Sequence, residues 1–582
     1  MVQILEKINN LCYTKSEKKI AKRRIALTML QTKIVSSMEK CFADSDIRTY
    51  APLPHLSALK NERVFFQLLF VDDAAGDGEV YRSANLYLSV SGVPASIVSL
   101  HRVEHVPVTI PSARAGGDGN YLRTTPGLYP DLLSPLPNGN VSLMRGQLQS
   151  VWITLELDSQ LSAGEYTVTV QLLTSHGEVK AENTLTLTVI DALLPPQELI
   201  LTQWFHADCL ADYYHVPAWS EEHWRIVESF AATAAQNGIN MLLTPVHTPP
   251  LDTAVNGERT TVQLVDVTVE NGVYSFGFDK LDRWIDMCDR VGIRYFEIAH
   301  LFTQWGAQRA PKIEACVEGE YKRIFGWETN ATSEEYSQYL RAFLTAFLAH
   351  MKARGDDKRC YFHISDEPGQ EQLESYRAAK AVVADLLRDY PIMDALSNFD
   401  YYKQGLVDMP IPSTDHIEPF IEAGVPGLWT YYCSSQGTDV SNRFLAMPLW
   451  RTRSIGLQLY KFNVVGFLHW GYNFYNSSLS RRHINPYLDT CSGYAFPAGD
   501  AFSVYPAQDG TALASMRILS FYEALQDIRA LRLAETLCGR ERVIDAIEEI
   551  FGEEIRFDRC AKEAAPLLKI REKINAMIAE SI

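Results

Sequence analysis

No two of the ten cysteines stand in C-x-x-C spacing. They are scattered at positions 12, 41, 209, 288, 316, 360, 433, 491, 538 and 560, which disfavours a disulfide framework and a structural zinc site and suits reduced thiols. No run approaches the roughly 20 apolar residues of a membrane helix. Residues 1–34 carry Lys15, Lys18, Lys19, Lys22, Arg23 and Arg24 but lack the apolar stretch of a secretory signal. The expectation is a cytoplasmic protein with no membrane partner, opening on a helical or weakly ordered extension over 1–34. Positive charge is also scarce: 54 Lys and Arg against 71 Asp and Glu leave a net charge of −17 and a pI near 5.4. Nucleic-acid binders draw affinity from Lys and Arg, so that class of partner is disfavoured. No Gly-rich phosphate loop or dinucleotide fingerprint stands between a strand and a helix. His101-Arg-Val-Glu-His105 matches an inverted zincin pattern, but it lies in strand-rich sequence ahead of Pro107 and Pro111, where the two histidines cannot share a helix face. No metal or other cofactor is expected.

What is present is a large apolar fraction with room for several cores. At 582 residues, 47% hydrophobic and 21% charged, the chain reads as two to four globular domains, fewer if one is a barrel. Ten Trp and 28 Tyr supply flat faces of the kind that line sugar sites, although many will be core. From 35 to 195 the pattern alternates. Tyr166, Val168, Val170 and Leu172 share one face, and Leu86, Leu88 and Val90 and then Leu185, Leu187 and Val189 repeat the period. With turns at Ser91-Gly92 and Asn138-Gly139, this predicts an antiparallel β-sandwich. After Pro195-Pro196, strands alternate with amphipathic helices. Strands are expected at 199–205, 239–246, 293–301, in the stretch 360–369, at 392–398, around 416–420, at 425–433 and at 464–475; eight such units predict a (β/α)8 TIM-like barrel over 196–535. Thr332-Ser-Glu-Glu335 reads as a capping box. A C-terminal helical tail fills 536–582.

A barrel of this kind carries its chemistry on the loops after its strands, and polar and aromatic residues do gather there. The predicted ends carry Trp204 and His206, then His247, His300 and Asn398, then Trp429, Tyr431 and Tyr432, then His469, Trp470, Tyr472 and Asn473. The fourth strand ends on two adjacent acids, in Cys360-Tyr-Phe-His-Ile-Ser-Asp-Glu-Pro-Gly369. Successive strand residues face opposite ways, so Asp366 and Glu367 can serve one site only if the strand is ending there. A retaining glycosidase with its own nucleophile separates its carboxyl groups by about 5–5.5 Å and an inverting one by about 6.5–9.5 Å; sequence neighbours fit neither well. They fit better a substrate-assisted route, in which the sugar's 2-acetamido carbonyl attacks the anomeric carbon. Two plainer readings stand beside this one. The acids also suit a helix N-cap and first turn, and the Trp and His residues also suit barrel core and local hydrogen bonding.

Ser365-Asp366-Glu367-Pro368, Leu428-Trp429-Thr430-Tyr431-Tyr432 and Gly466-Phe467-Leu468-His469-Trp470-Gly471-Tyr472-Asn473, with Tyr129-Pro130-Asp131 before them and Tyr505-Pro506-Ala507-Gln508-Asp509-Gly510 and Arg517 after them, resemble the motifs of glycoside hydrolase family 123 over about residues 35–540. The resemblance implies a sandwich followed by a TIM-like barrel and exo-acting β-N-acetylgalactosaminidase activity with retention. Asp366 would hold the acetamido N–H and Glu367 would be general acid and then base. Trp429, Trp470 and Tyr472 would wall the pocket, and one of Tyr431, Tyr432 and Tyr472 would donate to the acetamide oxygen. The partner implied is an oligosaccharide or glycoconjugate ending in N-acetylgalactosamine. The alternatives are a related glycosidase for a non-acetamido or gluco-configured sugar, and an inactive glycan-binding relative.

Overall fold

The computed structural model describes residues 30–72, 81–112 and 118–582. The expected N-terminal extension therefore falls mostly outside the described residues. Its end does not continue as an extension: Leu30–Ser36 is a strand paired antiparallel with Arg63–Asp72, because Ile34 and Val35 are buried there. The chain divides into two compact units. One comprises Met1–Glu104, Leu133–Leu194 and Asn575–Ile582, the other His105–Leu132 and Pro195–Ile574.

Ten strands between Leu30 and Leu193 pair into a single sheet, mostly antiparallel. The alternation read from the sequence is what buries it. Val168, Val170 and Leu172 on Gly164–Leu173, and Leu185, Leu187 and Val189 on the neighbouring Val179–Leu193, are almost fully inside, while Thr167 is exposed. Apolar side chains on one face and hydroxyls on the other are what a sheet with one wet face requires.

The second unit is built from parallel strands. In chain order they are β1 Ile200–Gln203, β2 Met241–Thr244, β3 Tyr295–Ile298, β4 Cys360–Phe362, β5 Met393–Ala395, β6 Met409–Ile411, β7 Trp429–Tyr431 and β8 Gly466–His469. Six lie side by side in the order β4-β3-β2-β1-β8-β7, and β5 pairs with β6. Single parallel bridges, Phe362 to Ile392 and Ser413 to Tyr431, touch the two sets together. β2 and β8 are buried along their whole length, as parallel strands covered on both faces must be. Helices alternate with them. Ser220 accepts from the His223 amide to open Glu221–Gln236, and Gly292 and Gly355, both at positive φ, close Asp279–Val291 and Glu334–Arg354.

Two local expectations change. The sixth strand is not at 416–420 but earlier, because Pro419 stands at the opening turn of the short helix Glu418–Glu422, where its missing N–H costs nothing. The capping box at Thr332 does not form. Ser333 caps the helix, its hydroxyl accepting from the Tyr336 amide, while the Thr332 hydroxyl is engaged by Asn330.

Helices Leu449–Lys461 and Met516–Cys538 pack so closely that a Cβ on Gly456 would lie 2.7 Å from the Ala524 carbonyl oxygen. Backbone on backbone has little room to yield. Gly456→Ala is expected to destabilise the second unit by about 1–3 kcal/mol; a denaturation midpoint equal to wild type would show that the two helices separate freely. No helix among the described residues is long and apolar enough to cross a membrane.

Candidate active site

β4 stops at Phe362, and the next six residues leave the sheet while remaining pinned on both sides. On one side the Ile364 amide donates to Asp394 and the Glu367 amide to the Ala395 carbonyl, at 3.0 and 2.9 Å. On the other, the Ser365 hydroxyl donates to the Thr303 carbonyl and the Trp305 amide to the Asp366 carbonyl, both at 2.9 Å. Glu367 has φ +41, a conformation that non-glycine residues adopt at a cost and that recurs at functional sites. The turn it makes lets neighbouring carboxylates line one cavity. Neither acid caps a helix, since the following 3-10 turn, Gln370–Gln372, begins only after Gly369.

The cavity, of about 150 Å³, is lined by Trp204, His206, Leu251, Asp252, Gln304, Trp305, Asp366, Glu367, Ala395, Tyr431, Cys433, Ser434, Leu468, Trp470 and Phe496. Asp366 is half-buried and Glu367 exposed. Burial and the neighbouring Glu367 carboxylate push the Asp366 carboxyl well above the usual carboxylate range, against the pull of His363. The Tyr431 hydroxyl donates to Glu367 Oε1 at 2.6 Å, and burial holds that hydroxyl protonated. The Trp470 indole donates to Asp500 at 2.9 Å; Asp500 is pushed up to about 7, chiefly by burial. His206 is held down to about 3 by burial and by Arg259. It is therefore neutral, accepting from Arg259 on Nδ1 and donating from Nε2 to the Trp470 carbonyl.

Behind the two acids lies a buried chain of charge. Trp204 Nε1 and His363 Nε2 both approach Glu297 Oε1 at 2.7 Å. His363 Nδ1 meets Asp394 at 3.0 Å, and Asp394 accepts from the Tyr376 hydroxyl at 2.5 Å. Burial pulls His363 down, but the hydrogen bonds to Asp394 and Glu297 more than offset it, to about 9. An imidazolium between two carboxylates results. His300, His363 and Asp394 bring ligand atoms within 4.8 Å of one another. The two imidazoles, however, stack 4.1 Å apart at 14°, so their in-plane lone pairs do not converge on one ion, and both His363 nitrogens are already engaged.

Of the residues singled out from the sequence, Asp366, Glu367, Trp204, His206, Tyr431 and Trp470 come together at the cavity. Eight others lie elsewhere. His247 meets the Tyr339 hydroxyl at 2.9 Å, and His300 stacks on His363. Asn398 caps the helix Phe399–Lys403. Trp429 is buried with its ring against Gly466, where a Cβ would lie 2.0 Å from it. Tyr432 packs on Phe467 and His469, His469 accepts from Arg443 at 2.8 Å, and the Tyr472 hydroxyl is taken by the Phe230 carbonyl. Asn473 bonds both the amide and the carbonyl of His206, so it acts on the site only through that residue. Of the three tyrosines left open, Tyr431 alone lines the cavity. Sequence reasoning missed Asp252, Gln304, Trp305 and Phe496. Gln304 and Trp305 follow His300 by a few residues, so the rim expectation carried further along the loop finds them; Asp252 and Phe496 sit in long irregular loops with no periodic signal.

Residues 204–534 match the family model described as glycoside hydrolase 123, catalytic domain. No curated protein matches the chain. Among solved structures, a family 123 glycoside hydrolase from Clostridium perfringens, described in terms of glycolipid glycan hydrolysis, aligns at a TM-score of 0.70 with 15% identity, covering 95% of this chain and 97% of that one. A GH5 xyloglucanase from Bacteroides ovatus aligns at 0.27 with 11% identity over 81% of this chain and 98% of that one, a score too low to carry an argument.

Proposed function

The chain belongs to glycoside hydrolase family 123, and from that premise we propose that it is an exo-acting β-N-acetylgalactosaminidase whose nucleophile is the substrate's own 2-acetamido group. The observation that carries this reading is the pair Asp366–Glu367 turned into one aromatic cavity, with the Tyr431 hydroxyl 2.6 Å from Glu367. In the first step the acetamide oxygen bonds to the anomeric carbon, the glycosidic C–O bond breaks, and Glu367 gives its proton to the departing oxygen. Asp366 accepts the acetamido N–H and offsets the positive charge of the oxazolinium formed. In the second, Glu367 takes a proton from water as the water oxygen attacks the same carbon, and the acetamide is restored with net retention. The Tyr431 hydroxyl reaches the acetamide oxygen or Glu367, and Trp204 and Trp470 wall the sugar.

The strand pairing supports a closed (β/α)8 barrel as the scaffold. The two single bridges join β4 to the β5 side and β6 to β7, and a shared rim accounts for the convergence of the loops after β1 to β4, β7 and β8 on one cavity. Residues 35–195 would then be a sheet domain and 196–535 the catalytic domain. The Clostridium relative is described in terms of glycolipid glycan hydrolysis, which favours a glycolipid-type glycan as the natural substrate; its terminal N-acetylgalactosamine is part of the reading proposed here.

The test is hydrolysis of aryl β-N-acetylgalactosaminide beside the matched aryl β-galactoside, which lacks the internal nucleophile. The galactoside is expected to be slower by at least about 10³-fold, since a well-placed intramolecular group is worth that much or more. Equal rates on the two would sink the substrate-assisted route. Preference for the aryl β-N-acetylglucosaminide would move the assignment to a gluco-configured sugar, and retention of intact sugar with no turnover would make this an inactive glycan-binding relative.

A further inference from the structure

Trp305 combines three properties that no other cavity residue shares. It is bulky, it is 43% exposed, and its backbone stands at φ +59, followed by Gly306 at +106 and Ala307 at +54. A bulky residue in this conformation is an outlier, kept only where surrounding contacts enforce it. The Trp305 amide donates to the Asp366 carbonyl, the Ala307 amide to Ser365 Oγ at 3.2 Å, and Ser375 Oγ to the Gly306 carbonyl at 2.7 Å. Gly306 has no room for a Cβ, which would meet the Gln372 side chain at 2.8 Å. The loop is thus locked to the segment that carries the catalytic pair, and Trp305 moves with Asp366.

The other two indoles of the cavity are tied down, Trp204 to Glu297 and Trp470 to Asp500. Trp305 has no such tie among the described residues. Of the acids, Asp366 is the half-buried one and Glu367 the exposed one. A general acid delivers its proton to the leaving oxygen, so the leaving group lies on the exposed side of the pair, and there Trp305 offers the exposed ring of the lining. The geometry points to Trp305 as the platform for the leaving group, a specificity-determining residue that stacks on the apolar face of the sugar released and so favours saccharide aglycones over small alkyl ones. This inference rests on the glycosidase reading above and on the roles given there to Asp366 and Glu367.

The experiment compares kcat/KM for a β-N-acetylgalactosaminyl-galactose disaccharide and for methyl β-N-acetylgalactosaminide, in wild type and in Trp305→Ala, Trp305→Tyr and Trp305→Gly. Trp305→Ala is expected to lose about tenfold more on the disaccharide than on the methyl glycoside, with Trp305→Tyr recovering most of the difference. Trp305→Gly is expected to show the same selective loss while melting at or above the wild-type temperature, because glycine suits φ +59; that outcome separates loss of the platform from loss of the fold. Equal losses on both glycosides, or none on either, overturn the platform. A wild-type enzyme that cleaves neither glycoside overturns the N-acetylgalactosaminidase reading itself, and the platform with it.

Discussion

Glu367→Gln lowers turnover of a glycoside with a poor leaving group by about 10²–10⁴-fold, and the loss shrinks when the leaving group is an activated dinitrophenolate that departs without a proton. Added azide then restores turnover of the activated substrate, because an anion that attacks without deprotonation needs no general base. Asp366→Asn behaves differently. In the role proposed, its carboxylate serves the acetamide whatever leaves, so its expected loss of about 10²–10³-fold is independent of the aglycone and is not rescued by azide. The pH profile separates them further. Burial and Glu367 raise the Asp366 carboxyl well above 3.8, and as acceptor of the acetamido N–H it works only when ionised. Activity therefore falls as pH drops through that raised value, and the acid limb of kcat/KM disappears in Asp366→Asn. Steady-state kinetics on two leaving groups across pH check all of this. An Asp366→Asn variant with an unchanged acid limb, or a Glu367→Gln loss that ignores the leaving group, would remove the roles assigned here.

How far these residues were legible in the sequence depends on what held them in place. The acids were visible because their reason is local: an apolar strand followed by Pro368 and Gly369 must end, and a strand that ends can turn two neighbours to one side. Trp204, His206, Tyr431 and Trp470 were visible for the same reason, since strand ends are periodic features. Trp429 and Tyr472 looked equivalent in sequence and are not. Trp429 faces the space left by the missing Cβ of Gly466 on the neighbouring strand, and Tyr472 reaches the Phe230 carbonyl, more than two hundred residues earlier. Such long-range vacancies and acceptors leave no mark on the pattern around the residue itself. The buried chain Glu297–His363–Asp394 was hidden likewise: each member sits in an apolar run that reads as core, and only pairing across β3, β4 and β5 brings them within 3.0 Å. The sixth strand was misplaced because three residues, Met409–Ile411, are too few for a period to show.

Asp131→Ala is expected to cost the second unit about 3–5 kcal/mol, and Arg517→Met about as much, because each leaves the other charge buried without its partner. Both side chains are fully inside. The guanidinium meets the carboxylate through Nε and Nη2, both at 2.9 Å, and the Tyr505 hydroxyl donates to the same carboxylate at 2.7 Å. Asp131 is thereby fastened to Tyr505 and Arg517, 374 and 386 residues later in the sequence. Arg517 does more than pair: its Nη1 donates to the carbonyls of Gly499 and Phe502, which bracket Asp500, the acceptor of the Trp470 indole. Loss of the pair therefore frees a cavity wall as well as a fold. At temperatures where the single variants remain folded, KM is expected to rise more than kcat falls, since the role proposed for Trp470 is to wall the sugar without touching the reacting proton. The double variant Asp131→Leu, Arg517→Met, with no orphaned charge, is expected to recover much of the stability, yet to keep the raised KM because the carbonyls of 499 and 502 stay unheld. Thermal melts and steady-state kinetics on the three variants decide it. Single variants that melt with the wild type would show the buried pair to be dispensable, and a double variant with wild-type KM would show that Trp470 is held without Arg517.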